Sequence, residues 1–247
     1  MALLDRAIVQ LLPAVPRPVV QRLSSRYIAG PTLDDAVRVV GRLNAKGKVA
    51  TVDVLGEETA SADEARAVAG QYHDVLARLD AEELDATISI KLTALGLELD
   101  LDLCHENLEA VVVDAAARGR FVRIDMEDSS TTDRTLALHR RLRDEGHDNV
   151  GVVLQAYLRR TLEDVPGLDN VRICKGIYVE PPDLAFQEFD EVRASYVRSL
   201  EALVAQGAHV GIANGTQWYE YSVRRLQENP KIAGYVARDF VTRVLRL

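Results

Sequence analysis

The sequence predicts a parallel-sheet α/β barrel of the (β/α)8 type, and three observations point there. Short β-branched runs alternate with longer helical patterns along the 247 residues, and repeated βα units demand a parallel sheet, open or closed. The first such run, Val49-Ala50-Thr51-Val52-Asp53-Val54-Leu55-Gly56-Glu57-Glu58, lacks the glycine fingerprint of an open dinucleotide-binding sheet, and no phosphate-cradling loop follows elsewhere. Polar residues gather instead toward the ends of several different strands, which is how a barrel builds a site at its C-terminal face.

The strand-like runs are Val49 to Gly56, Ala86 to Gly96, Phe121 to Asp128, Val150 to Leu158, Val171 to Tyr178 and His209 to Asn214. Their length and β-branched content predict strands buried on both faces. Helical patterns cover Ser61 to Asp80, Leu101 to Arg118, Thr131 to Gly146 and Pro182 to Gln206, with a shorter one from Arg160 to Val165. Ser61 with Glu64 makes a capping box, and Gly119, Gly146 and Gly207 stand where helices should stop. No linker, repeat or low-complexity tract divides the chain. A single domain is expected, with N-terminal helices over 1–48, six βα units over 49–214 and C-terminal helices over 215–247.

Composition narrows the function. Apolar content of 47% with 28% charged residues describes a soluble globular chain. A net charge of −8 argues against broad nucleic-acid binding. No run reaches the roughly 18 apolar residues of a membrane span. Met1 to Gln21 is amphipathic and broken by Pro13, Pro16 and Pro18, without the marks of a secretory signal. Cys104 and Cys174 have neither metal nor redox spacing, so a cytoplasmic setting with free thiols is expected.

The strand ends carry the candidate chemistry. Glu57 and Glu58 follow the first strand, as a solvated turn or as partners for an arginine across the mouth. Lys91 sits in the apolar run Ser89-Ile90-Lys91-Leu92-Thr93-Ala94-Leu95, where an unpaired ammonium is costly and needs a partner or ligand. Alternation in Arg123-Ile124-Asp125-Met126-Glu127-Asp128 sends Arg123, Asp125 and Glu127 to one side. Gln155 carries donors and an acceptor suited to the edge of a heteroaromatic ring. Arg172, Lys175 and Gly176 would let an anionic cofactor approach the backbone. In Trp218-Tyr219-Glu220-Tyr221-Ser222-Val223-Arg224-Arg225-Leu226, a helix would place Tyr221 with Arg224 and Arg225, and Glu228 one turn on. Paired guanidiniums suit a small carboxylate.

Five runs in order resemble the proline dehydrogenase family, including the corresponding domain of bifunctional proline utilisation proteins. They are Ser89 to Leu95, Val122 to Asp128, Leu154 to Leu158, Arg172 to Tyr178 and Tyr221 to Asn229. The resemblance implies a distorted (β/α)8 barrel that holds FAD and oxidises L-proline to Δ1-pyrroline-5-carboxylate. Electrons then pass to a quinone, with peripheral contact at the inner membrane. By the same resemblance Arg224 and Arg225 clamp the substrate carboxylate, Tyr221 packs on its ring, Lys91 and Asp125 complete the charged wall, and Glu57 pairs with Arg224 as a gate. Gln155, Arg172, Lys175, Gly176 and Glu228 fall to the flavin.

The chain departs from the pattern after its sixth strand, where Ile212-Ala213 runs into Asn214-Gly215-Thr216-Gln217-Trp218. A Thr-His pair, strands seven and eight, and a tyrosine before the last helix are missing, on the order of 50 residues in a fold of typically ~250. Two strand edges are then left for a partner, such as a second copy in a homo-oligomer, to cover. Two other classes follow. One is a catalytically inactive shortened remnant acting as a binding or oligomerisation module. The other is a metal-dependent barrel enzyme using Glu57, Asp125 and Glu127, although the five histidines offer no ligand spacing.

Overall fold

The computed structural model describes residues 29–30, 32–56 and 58–212. Glu57, Tyr221, Arg224, Arg225 and Glu228 lie outside the described residues. The chain divides into two compact units, the larger comprising Thr32–Gly176 and Glu180–Ala213. The smaller contributes only residues 29–30 and 177–179 to the described part.

Within the larger unit the elements run α1 (Leu33–Asn44), β1 (Ala50–Asp53), α2 (Ala62–Ala81), β2 (Ala86–Ile90), α3 (Leu101–Ala117), β3 (Val122–Ile124) and α4 (Thr132–Asp144). They continue with β4 (Val150–Gln155), a short α5 (Thr161–Asp164), β5 (Asn170–Cys174), α6 (Phe189–Ala205) and β6 (His209–Ile212). The six strands form one sheet in the order β1-β2-β3-β4-β5-β6, and every pair is parallel. Sequential order decides between the two architectures. Crossovers of one hand, always stepping the same way, place their helices on one face, whereas a doubly wound sheet reverses direction at a switch point. The sheet is therefore the barrel type, with six strands among the described residues.

Register separates the two faces. Val52, Ile88, Val122 and Val150 align across the sheet, as do Ile90, Ile124, Val152, Val171 and Val210. This apolar side is buried together with Leu76, Leu79, Leu108, Val111, Val112, Leu138 and Leu142 of α2, α3 and α4. Each fully buried aliphatic side chain contributes about 1.5–3 kcal/mol. The other side carries Asp53, Ser89, Arg123 and Gly151 in one register row, with Gln155, Asn170 and Arg172 on neighbouring strands. The expected burial on both faces is met along β4, which is buried at all six positions, while the second face is polar in character on most strands.

Local signals account for the helix ends. Ser61 accepts from the Glu64 amide, while the Glu64 carboxylate reaches back to the Ala60 N–H at 2.7 Å. Gly119, Gly146 and Gly207 follow α3, α4 and α6 with positive φ, as the stop signals predict. The first five strands all end sooner than the sequence runs, α6 starts later, and two of these boundaries have a visible cause. The second strand stops at Ile90, not Gly96, because Glu127 accepts from the Thr93 N–H at 3.1 Å and from its hydroxyl at 2.5 Å, which turns Thr93–Leu95 into a 3-10 turn. Helix α6 starts at Phe189, not Pro182, because the preceding segment pairs with the residues after β4 instead. There Phe186 N–H donates to Tyr157 O at 2.8 Å, and Leu158 bridges Ala185 antiparallel.

His139 on α4 is buried, and neither ring nitrogen finds a hydrogen-bond partner among the described residues. Burial, aided by Arg143, brings its pKa down from 6.5 to about 4, with Asp169 opposing and Arg123 and Arg140 adding to the fall. The folded chain thus holds a neutral imidazole that the unfolded chain protonates first. Stability from this site is complete above about pH 6.5 and is lost as pH falls toward about 4, on the order of 3 kcal/mol in all. Urea unfolding across that window should show this slope, and His139→Leu should flatten it. An unchanged slope would remove His139 as its source.

Candidate active site

The polar face ends in a connected set of charged groups at the C-terminal edge of the sheet. Lys91 follows β2 directly and is 8% exposed. Its ammonium donates to Asp53 Oδ2, at the end of β1, at 2.7 Å. The Tyr72 phenol of α2 shares its proton between Asp53 Oδ1 at 3.2 Å and the Ser89 carbonyl at 2.9 Å. Burial, with Asp53 beside it, pushes that phenol far above its ordinary range, so it stays a donor. The lysine has therefore found its partner, and Asp53 is that partner.

A second pair lies beside the first. Arg172 Nη2 donates to Asp125 Oδ1 at 2.6 Å and to Ser89 Oγ at 2.8 Å, and Ser89 Oγ donates to Asp125 Oδ1 at 2.7 Å. The Asp125 N–H closes on the Ile90 carbonyl at 2.8 Å, which fixes β3 against β2 at this level. Below the pair, Arg123 crosses the face over Gly151 to reach the carbonyls of Val152 at 3.1 Å and Asn170 at 2.9 Å. A Cβ at Gly151 would stand 2.5 Å from Arg123 Nη1 and from Asn170 O, so this crossing needs glycine. Burial and the charge of Arg172 pull the Arg123 guanidinium down to about 10, against the opposing pull of Asp125. Among the described residues of this network two carboxylates thus face three cations, a positive balance suited to an anionic ligand.

The predicted cofactor residues cluster on the ends of β4 and β5. Gln155 Nε2 donates to the Met126 carbonyl at 2.9 Å, while its Oε1 is buried without a hydrogen-bond partner among the described residues. A buried acceptor left in this way costs free energy, and a ring N–H would satisfy it. The Lys175 ammonium lies 4.5 Å from the Phe189 ring centroid, a cation–π contact. Gly176 has φ +97°, and the side where a Cβ would stand is filled by the Tyr157 ring. That packing by itself requires glycine.

The structure brings Lys91, Asp125 and Arg172 into one network and sets Gln155, Lys175 and Gly176 on adjoining strand ends. It does not unite Asp125 with Glu127. The strand stops at Ile124, period-two alternation stops with it, and Glu127 turns to Thr93 while Asp125 faces Arg172. Sequence reasoning overlooked Asp53, Tyr72 and Ser89. The available signal was the acidic end of the first strand: Asp53 alternates with apolar Val52 and Val54, as Asp125 does with Ile124 and Met126. Cys104 is buried with its thiol pushed up to about 12 by burial and by Glu127, and Cys174, expected to pack as a small apolar residue, is partly buried against the same core.

The family model for proline dehydrogenase matches residues 36–177. Proline dehydrogenase 1 of Bacillus subtilis subsp. natto is 38% identical over 167 residues, covering 66% of this chain and 55% of that protein. The chain thus spans about half the length of this relative. Proline dehydrogenase 1 of Bacillus subtilis strain 168 is 29% identical over 272 residues, covering 87% of this chain and 90% of that protein. A stretch of 272 aligned residues exceeds the whole chain of 247, so the relative carries residues inside the aligned region that this chain lacks. The crystal structure of proline utilization A from Bdellovibrio bacteriovorus superposes with a TM-score of 0.72 at 22% identity, over 86% of this chain and 28% of that one. It shares the barrel-type fold described above. With the family model spanning more than half its length and the sheet order of a barrel, the chain belongs to the proline dehydrogenase family.

Proposed function

We propose that the chain oxidises L-proline to Δ1-pyrroline-5-carboxylate with FAD as cofactor and a quinone as final acceptor. The observation that carries the reading is the joined pair network Lys91–Asp53 and Arg172–Asp125 at the strand ends of a chain from this family. The flavin fits the residues present: the buried Gln155 Oε1 needs a donor, and Arg172 and Lys175 lie on the next strand end with positive charge. When bound, FAD supplies a two-electron acceptor, and a nearby cation favours its anionic reduced form.

This chain's own residues bind and orient. Lys91, held by Asp53, presents its ammonium to the substrate carboxylate alongside Arg224 and Arg225. Asp125 and Ser89 aim Arg172 toward the cofactor. Tyr221 packs against the proline ring, Glu57 pairs with Arg224 to gate the site, and Gly176 and Glu228 complete the flavin contacts. No described helix is long and apolar enough to cross a membrane. The reading places the protein in the cytoplasm, meeting quinone by peripheral contact with the inner membrane.

One observation favours a second reading. The residues missing from within the alignment to the Bacillus subtilis strain 168 relative support a shortened barrel that retains the fold as a binding or oligomerisation module. A visible spectrum recorded with FAD, before and after L-proline, separates the two. Bound flavin that bleaches on addition of proline is the expected result. Absence of bound flavin after reconstitution would overturn the enzyme reading in favour of the second.

A further inference from the structure

We propose that His105, Glu109, Glu145 and His147 form a divalent transition-metal site, with zinc the preferred ion, which ties α3 to the C-terminal end of α4. His105 and Glu109 lie four residues apart on α3 and so share one helix face. Glu145 caps α4, and His147 follows it by two residues. One ligand atom from each of His105, Glu109 and Glu145 lies within 4.8 Å of the other two. His105 Nε2 is 2.8 Å from Glu145 Oε2, its Nδ1 is 3.9 Å from Glu109 Oε2, and His147 Nε2 is 3.4 Å from Glu109 Oε1. The donors of a tetrahedral zinc site stand roughly 3.3 Å apart, given bonds of about 2.0–2.1 Å. The His105 Nε2–Glu145 and His147 Nε2–Glu109 distances straddle that spacing, and His105 offers the ion one ring nitrogen, on which Glu109 must close.

The supporting backbone is held in place on both sides. Gly146 turns with φ +94°, and the His147 N–H donates to Leu142 O at 3.0 Å. Asn149 Nδ2 then binds Val112 O at 2.9 Å and Arg120 O at 3.1 Å, pinning this loop to the end of α3. The imidazole of His105 is itself buried. The two glutamate side chains are about one-third and two-fifths exposed, which leaves them room to turn toward an ion.

Charge and donor type favour a metal over a plain ion-pair cluster. Two carboxylates carry the charge that a doubly charged ion neutralises, and the imidazoles add nitrogen donors. A mixed nitrogen and oxygen set selects zinc-like ions over calcium or magnesium, which prefer all-oxygen shells. Arg141 competes for Glu145 Oε1 at 3.1 Å, but its Nη1 also holds Asp102 at 3.0 Å, so it keeps a partner when Glu145 turns. Arg143 binds the His147 carbonyl and not its ring.

The test uses the full chain, stripped with a chelator, dialysed and titrated calorimetrically with zinc chloride. One equivalent is expected, with little heat from magnesium. Glu145→Gln and Glu109→Gln, both at partly exposed positions, should each weaken zinc by roughly tenfold or more, since even the partners of metal ligands are worth about 10–100-fold. Cobalt(II) should give the visible bands of a tetrahedral nitrogen and oxygen site. Absence of saturable zinc binding would overturn the proposal, as would variants that bind like the parent. A sulfur-to-cobalt charge-transfer band would place the ion on Cys104 or Cys174 and overturn it equally.

Discussion

Gly176→Ala is expected to destabilise the larger unit by roughly 3 kcal/mol or more, the sum of a left-handed backbone penalty and an overpacking penalty. A Cβ at this position would fall on Cδ1 and Cε1 of Tyr157, and φ is +97°. Neither partner can yield cheaply. Tyr157 packs with Leu158 and Ala185, and its backbone is bonded to Lys175 O and to the Phe186 N–H, each at 2.8 Å. Urea unfolding of Gly176→Ala, Tyr157→Ala and the double variant measures the effect. The double variant should lose about 2 kcal/mol less than the two single losses together, because removing the ring removes the collision. Strictly additive losses would show that the ring is not what excludes a side chain there.

Asp125→Ala carries the second large effect. It removes the only carboxylate that Arg172 contacts among the described residues and leaves Arg172 facing the half-buried Arg123. Truncating one partner of a buried pair costs about 3–5 kcal/mol. Both side chains of this pair are about one-quarter exposed, and solvent screening reduces the expectation to roughly 2 kcal/mol. High salt should restore part of the loss by screening the two guanidiniums. Adding Arg172→Gln should restore more, because it removes the unpaired charge itself. Under the proposed function, Asp125→Ala also weakens flavin retention, as Arg172 is no longer aimed. A loss untouched by salt and by Arg172→Gln would assign Asp125 to local backbone geometry alone.

Much of the scaffold was legible beforehand. Strand and helix order followed from β-branched runs and glycine stops, and the absence of a dinucleotide fingerprint turned the choice toward a barrel. The five motifs indicated the family before any coordinates. The boundaries that failed did so through contacts distant in sequence. Glu127 ended β2 early by capturing Thr93, 34 residues away. The Pro182 segment gave up its helix for pairing with the residues after β4. The spacing of the histidines likewise concealed His105 and Glu145, since their partnership joins two helices across 40 residues.

What the sequence determined by itself was the kind of fold and its family, because periodicity, caps and ordered motifs are local properties of the chain. It also supplied Lys91, Asp125 and Arg172 as charged residues that an apolar strand end could not leave alone. Tertiary structure decided which charge answers which. Lys91 pairs with Asp53 across 38 residues, and Arg172 meets Ser89 across 83. These distances are closed only by parallel register, which sets Asp53 opposite Ser89 and carries the next strands into place beside them. A buried charge requires a partner on energetic grounds, but the register of the sheet chooses it.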